Sequence, residues 1–167
     1  MMIYVDGTDL LGYLAERGDA LVTKGSRDRS RENLTRWLAR YCEGQTCRAV
    51  LVFDGADLGE VLSPVEQHGP VKVLSLPHGG DARAEIAGPA NRSAEQERTL
   101  VVTDDTRLAR DLEHGKARVL TSARFIGRVR REIRAGDQSL PGEPDEKFTG
   151  LSDEEVNFWL GEFGDEG

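Results

Sequence analysis

Short apolar runs alternate along the chain with longer segments in which apolar residues recur every three to four positions. The runs are rich in β-branched residues and mostly end at Asp, Gly or Pro, which is typical of buried strands. They predict five strands, over residues 3–5, 48–53, 71–76, 100–103 and 118–121. The longer segments have the spacing of amphipathic helices. They predict five helices, over residues 9–20, 30–43, 81–87, 106–114 and 123–134.

Strands and helices that alternate in this way predict an α/β fold. Parallel neighbours need crossover connections, which are right-handed and usually helical, so we expect a mostly parallel five-stranded sheet with helices on both faces. The third helix is expected to be short, because Pro89 cannot continue a helix and restricts the conformation of Gly88.

The C-terminal part of the chain has a different pattern. Residues 136–150 are rich in Gly, Pro, Asp and Glu and lack periodicity, which predicts a flexible linker after a domain of residues 1–135. Residues 151–167 begin with a capping signal and predict a short amphipathic helix. We expect this helix to dock on its own domain; the alternative is that it binds a protein partner in a groove.

Length and composition limit the class of protein. A chain of 167 residues is one ordinary domain with a tail. Its apolar runs are far shorter than the roughly 20 residues of a membrane span. The first residues lack a basic segment followed by an apolar one, so we expect no secretory signal and a soluble, cytoplasmic protein.

The chain has two cysteines, Cys42 and Cys47. Their spacing matches no zinc or disulfide pattern, so we expect both to be reduced thiols.

Charge is distributed unevenly around a net charge of −8. Residues 141–167 hold nine of the 30 acidic residues and one of the 22 basic residues, so residues 1–140 contain 21 of each. Two basic clusters, within residues 24–40 and 124–134, offer positive surfaces to phosphate groups, although such clusters are often only solvated helix faces.

Acidic residues follow the predicted strands. The carboxyl ends of parallel strands lie at one edge of a sheet, where ligands of open α/β sheets bind. We therefore expect the side chains of these residues to converge there: Asp6, Asp54, Asp81, Asp104 and Asp105. Asp9, one helical turn after Asp6, would join them.

A cluster of carboxylates raises the pKa of each member unless a cation lies between them. Oxygen ligands suit Mg²⁺ or Mn²⁺, whereas zinc prefers His and Cys. The chemistry that such ions support is hydrolysis of a phosphodiester by an activated water, without a side-chain nucleophile. The alternative for any one strand-end Asp is a helix cap or a turn.

Five motifs in this order resemble the YacP-like NYN domains, over roughly residues 1–134. They are residues 3–11 (IYVDGTDLL), 50–55 (VLVFDG), 80–86 (GDARAEI), 101–105 (VVTDD) and 117–125 (ARVLTSARF). This family is part of the PIN-like nuclease group. The resemblance implies a Rossmann-like three-layer fold and a metal-dependent ribonuclease acting on RNA, which we expect to be single-stranded.

The resemblance also implies roles for individual residues. Asp6, Asp54, Asp81 and Asp105 would be the catalytic acids. Together with the expected convergence of the strand-end acids, this gives Asp6, Asp9, Asp81, Asp104 and Asp105 as the expected metal ligands. Thr8 and Thr103 would support them. For the RNA backbone we expect contacts from Lys24, Arg27, Arg29, Arg124 and Arg128, which would make binding weaken steeply with salt.

The chain departs from the family pattern at three of these motifs. Gly79 and Gly80 precede Asp81 where Thr and Ala are common in the family. Thr8 and Asp9 stand where the family usually has Tyr and Asn, and Asp104 adds a charge before Asp105, which we favour as the residue facing the crevice. A second hypothesis therefore stays open, in which the chain is a non-catalytic NYN-like module that binds RNA or protein.

Overall fold

The computed structural model describes residues 1–56, 64–92 and 98–138, with side chains described as far as residue 135. Its strands are β1 (Met2–Asp6), β2 (Arg48–Ala56), β3 (Val65–His68), β4 (Val71–Pro77), β5 (Thr99–Val102) and β6 (Arg118–Leu120). Its helices are α1 (Gly7–Glu16), α2 (Arg27–Gln45), α3 (Ala82–Arg92), α4 (Thr106–Leu112) and α5 (Ser122–Gln138). The predicted α/β class is confirmed.

The sheet has the strand order β3-β4-β2-β1-β5-β6. β1 lies in the middle and pairs in parallel with β2 on one side and β5 on the other, so that Val5 lies opposite both Leu51 and Val102. After β1 the chain adds β2, β3 and β4 on one side of it and then β5 and β6 on the other side. Ligands of open α/β sheets bind at the carboxyl ends of the strands where the strand order reverses in this way.

The sheet contains one strand more than the sequence predicted. β3 forms an antiparallel hairpin with β4, and Gly69 in its turn has a φ of 55°. The prediction missed β3 because all four of its residues are exposed and it has no apolar face. Polar edge strands of this kind protect a sheet from pairing with other chains.

Two apolar cores lie on opposite faces of the sheet. On one face, α1, α2 and α5 pack against the strands through residues such as Leu14, Leu38 and Phe125. On the other face, α3 and α4 pack through Ile86 and Leu108. The described part of the chain is therefore a three-layer sandwich, as the resemblance implied.

Helix α3 continues through Pro89, where the sequence predicted that it would end. Proline in a helix interior lacks the N–H that would bond the carbonyl four residues earlier. Ile86 and Ala90, on either side of it, are fully buried against the sheet. This packing holds the turn that Pro89 weakens.

Three other helices begin earlier than predicted, α1 at Gly7, α2 at Arg27 and α5 at Ser122. Ser26 caps α2, and the Ser30 hydroxyl, at the predicted start of this helix, donates to the Ser26 carbonyl at 2.8 Å. Before α5, the Thr121 hydroxyl oxygen accepts from the Arg124 N–H at 3.4 Å, which places Thr121 at the cap position. Short-range capping signals do not distinguish neighbouring hydroxyls.

One compact unit spans Met1–Arg134. α5 continues to Gln138, three residues into the predicted linker. The remainder of that linker and the predicted helix of residues 151–167 lie outside the described residues. Among the described helices, none combines the length and the hydropathy needed to cross a membrane.

Candidate active site

The carboxylate of Asp6 lies at the last position of the central strand. β1 ends at Asp6 and α1 begins at the next residue, and Asp6 caps this helix, because its Oδ1 accepts from the Asp9 N–H at 3.0 Å. A Cβ on Gly7 would lie 2.5 Å from Cε1 of Phe53. The glycine therefore allows the first turn of α1 to approach the end of β2.

Thr8 joins α1 to the end of β2. Its hydroxyl donates to Oδ1 of Asp54 at 2.8 Å and accepts from the Asp54 N–H at 3.2 Å. This reciprocal pair fixes the orientation of the Asp54 carboxylate, and the predicted supporting role of Thr8 in a metal site stays a prediction.

Asp9 joins the same helical turn to the end of β5. Its Oδ2 accepts from the Thr103 hydroxyl at 3.1 Å and from the Asp104 N–H at 3.0 Å. Thr103 is buried and also accepts from the Asp105 N–H at 3.0 Å. The first turn of α1 thus bridges the carboxyl ends of three neighbouring strands.

The carboxylates of Asp6, Asp9 and Asp54 interact electrostatically. The pKa of Asp6 is raised from 3.8 to about 6, chiefly because burial desolvates the charge and also because Asp9 and Asp54 are negative. Hydrogen bonds from the N–H groups of Asp9 and Thr8 lower the pKa in part. A cation between these groups would offset both the burial and the repulsion.

The donor chemistry of this group fits Mg²⁺ or Mn²⁺. Within residues 1–56, 64–92 and 98–138, no three or more His, Cys, Asp and Glu side chains are already arranged to hold an ion. Mg²⁺ usually keeps several waters and needs only one or two carboxylates from the protein. Asp6 and Asp9 supply such a pair of oxygen donors.

Asp104 and Asp105 direct one oxygen each to a helix terminus. Oδ1 of Asp105 accepts from the Arg107 N–H at 2.7 Å and caps α4. Oδ1 of Asp104 accepts from the Ser122 N–H at 2.9 Å at the start of α5. Asp104 contacts the Asp9 carboxylate only through its backbone N–H. The metal-binding role predicted for the side chains of Asp104 and Asp105 stays a prediction.

Asp81 is placed apart from this group. It follows β4, which is two places from β1 in the sheet. Its side chain is exposed, and Oδ1 accepts from the Ala84 N–H at 3.1 Å in the first turn of α3. Among the described residues, no hydrogen bond connects Asp81 with the carboxylates of Asp6, Asp9 or Asp54.

Two arginines at the start of α2 lie beside the end of β2. Arg27 donates through Nη1 to the Gly55 carbonyl at 3.4 Å, and Arg31 donates through Nη2 to the Asp54 carbonyl at 3.3 Å. The Arg31 guanidinium also lies over the Phe53 ring, 4.8 Å from its centroid. Arg31 belongs to the basic cluster within residues 24–40, but the sequence analysis did not name it as a site residue. Only these contacts place it beside the candidate site.

The other predicted RNA-binding residues lie in different places. Lys24 lines a cavity together with Arg27, while Arg29 is exposed outside its lining. Arg124 and Arg128 line a separate groove between β6 and α5. Arg128 pairs there with Glu132 at 2.7 Å, and Tyr41 donates to the same carboxylate at 2.7 Å. The pairing raises the pKa of Arg128, while the hydrogen bonds from Tyr41 and then Arg128 lower the pKa of Glu132 despite its partial burial.

A family model described as the YacP-like NYN domain matches residues 3–156. Among solved structures, Rae1 (YacP) from Bacillus subtilis matches with a TM-score of 0.64 and 19% identity, over 83% of this chain and 78% of that chain. A Trp-to-Leu mutant of Rae1 matches with a TM-score of 0.63 and 18% identity, over 82% and 79%.

No curated protein matches the chain significantly. The family match nevertheless covers most of the sequence, and the two solved structures share its fold. The chain therefore belongs to the YacP-like NYN domain family, within the PIN-like nuclease group.

Proposed function

We propose that this protein is a ribonuclease that uses Mg²⁺ or Mn²⁺ to hydrolyse phosphodiester bonds of RNA at the carboxylates of Asp6, Asp9 and Asp54. The observation that carries the proposal is the buried Asp6 at the switch point, with a pKa raised to about 6 and two further carboxylates nearby. Burying repelling charges costs stability, and a bound cation recovers it. Membership of a nuclease family supports the same conclusion.

Asp6 and Asp9 would hold the metal, with Asp54 beside them. When bound, the ion supplies an acidified water and neutralises charge on the phosphate. The chain itself orients the ligands: Thr8 fixes Asp54, and Thr103 fixes Asp9. We retain Asp81, Asp104 and Asp105 as further candidate ligands, to be tested by substitution with Asn.

The test is cleavage of an end-labelled single-stranded RNA with Mn²⁺. We expect Asp6→Asn to lower the rate at least about 100-fold, because loss of a metal ligand removes several kcal/mol of transition-state stabilisation. Asp111→Asn is the matched control: the side chain of this exposed residue of α4 forms a 3.8 Å ion pair with Arg83, away from the proposed site. Equal rates in all three proteins would show that a contaminant cleaves the RNA.

Thermal unfolding distinguishes this proposal from the non-catalytic module. Mn²⁺ should raise the melting temperature of the wild type, because it binds the folded state, and should not raise that of Asp6→Asn. A wild type that binds RNA, cleaves none and is not stabilised by Mn²⁺ would be a binding module.

A further inference from the structure

A cavity of about 550 Å³ opens directly beside the carboxylates, within the range of about 300–1,000 Å³ that is usual for small-ligand pockets. It lies between α1, residues 22–26, the start of α2 and the end of β2. Thr8 and Asp54 form part of its wall. A ligand bound in it would therefore contact the side chains that orient the proposed metal site.

One wall of the cavity is apolar and is kept open by a glycine. Leu11 and Val22 contribute apolar surface to this wall, and Gly12 lies on it inside α1. Glycine destabilises a helix interior relative to alanine. A Cβ at Gly12 would meet no atom within 4 Å, so packing does not require the glycine. Its missing side chain leaves room in the cavity instead.

Three basic residues also line the cavity. Arg27 and Arg31 both line it, and both are held by carbonyl groups at the end of β2. They are close enough to repel, since the pKa of Arg31 is lowered by burial and then by the charge of Arg27. Lys24 adds a third, exposed cation. Adjacent cations at the rim of a pocket favour an anion there.

We propose that this cavity binds one nucleotide of the RNA, with its base against the wall of Leu11, Gly12 and Val22 and its phosphate at Lys24 and Arg27. The inference rests on the proposed function and places the substrate next to the carboxylates. A nucleotide matches the cavity because it combines a flat, weakly polar base with a phosphate anion.

The groove between β6 and α5 is the competing path for RNA. It has about 520 Å³ and also carries arginines, including Arg124. Arg128 in that groove is neutralised by Glu132, and none of the six carboxylates predicted for the active site lines it. The groove also contains a glycine inside a helix, Gly127, at which a Cβ would meet no atom within 4 Å.

The two glycines provide matched variants. Full-length wild type, Gly12→Leu and Gly127→Leu are titrated into a fluorescein-labelled single-stranded RNA dodecamer in EDTA, at low salt, and anisotropy gives Kd. We expect Gly12→Leu to raise Kd by about tenfold or more, because the added side chain would occupy the place of the base. Gly127→Leu should change it by less than about twofold. The proposal would be overturned if Gly127→Leu raised Kd and Gly12→Leu did not, or if neither variant changed Kd. It would also be overturned if the wild type bound no RNA.

A second pair of variants leaves the helices unchanged. Arg27→Gln should weaken the dependence of log Kd on log salt by about 0.7, the value for one phosphate contact with a single strand. Arg48→Gln, at an exposed position at the amino end of β2 and outside the cavity lining, should leave the slope unchanged. Equal slopes for both variants would contradict a phosphate site at Arg27, even if Gly12→Leu failed to fold.

Binding in EDTA does not depend on cleavage, so the two proposals can fail separately. A wild type that binds RNA through Gly12 and Arg27 but cleaves none with Mn²⁺ would refute the ribonuclease and keep the pocket. A wild type that cleaves RNA while neither variant alters Kd would refute the pocket alone.

Discussion

Asp6 has a structural role and a chemical role that oppose each other energetically. Its Oδ1 caps α1, which stabilises the helix, while only 9% of the residue is exposed and two other carboxylates lie near it. The charge that would bind a metal is therefore a cost to the folded protein when no metal is bound. Active sites often hold such destabilising arrangements.

Because the ionised Asp6 carboxylate destabilises the folded protein when no metal is bound, we expect Asp6→Asn to stabilise the protein in EDTA. Asn caps a helix as well as Asp does, and it carries no charge to bury. A pKa raised from 3.8 to about 6 corresponds to a gain in the free energy of unfolding on the order of 3 kcal/mol at pH 7.5. Urea unfolding of both proteins measures the difference.

The pH dependence gives the control. Below about pH 3 the Asp6 carboxyl is mostly protonated in the folded and unfolded states, so the two proteins should be almost equally stable there. Between about pH 4 and 6 the unfolded state releases its proton first, and the stability of the wild type should fall relative to the variant. A difference that is the same at pH 4 and pH 7.5 would contradict an electrostatic cause.

At the scale of elements, the first turn of α1 assembles the site. Gly7 lets this turn approach β2, Thr8 contacts Asp54 after β2, and Asp9 contacts Thr103 after β5. Three consecutive residues can reach both neighbours because β1 lies between β2 and β5 in the sheet. The site therefore depends on the strand order and not only on the acids themselves.

The continuation of α3 through Pro89 predicts a stabilising substitution. Pro89→Ala restores an N–H that can bond the Glu85 carbonyl, which should raise the free energy of unfolding by about 1–2 kcal/mol, after allowance for the more flexible unfolded chain. The midpoint of urea unfolding should rise with an unchanged m-value. An unchanged or lower midpoint would mean that the proline does not interrupt a helical hydrogen bond.

At the scale of the whole molecule, charge separates the body of the chain from its C-terminal segment. Residues 1–140 are balanced in charge, and residues 141–167 carry the entire net charge of −8. A polyanionic segment competes with RNA for basic surfaces and repels it at long range.

Removal of residues 141–167 should therefore tighten RNA binding, with an effect that is largest at low salt. Fluorescence anisotropy of the full-length and shortened proteins, with the same RNA dodecamer, measures the change in Kd. A variant with the nine acidic residues replaced by Asn and Gln distinguishes charge from length. Unchanged affinity in both would exclude an electrostatic role for this segment.

The α/β fold could be predicted from the sequence because each apolar run had to be a buried strand and each connection had to cross back over the sheet. The convergence of Asp6 and Asp54 follows from the same rule, since both directly follow parallel strands. β3 could not be predicted, because Val65–His68 packs no apolar face and gains its hydrogen bonds only from β4. The path of α3 through Pro89 likewise depends on the burial of Ile86 and Ala90.

The sequence by itself determined the layers, the family and the edge of the sheet at which the acids gather, because these depend on local periodicity and on residues at strand ends. Only the tertiary structure decided which acids meet. Asp9 and Asp54 lie near Asp6, whereas Asp81 is exposed after β4, two places from β1 in the sheet. It also decided that Gly12 faces a cavity. These outcomes depend on contacts between residues far apart in the chain, which no local pattern records.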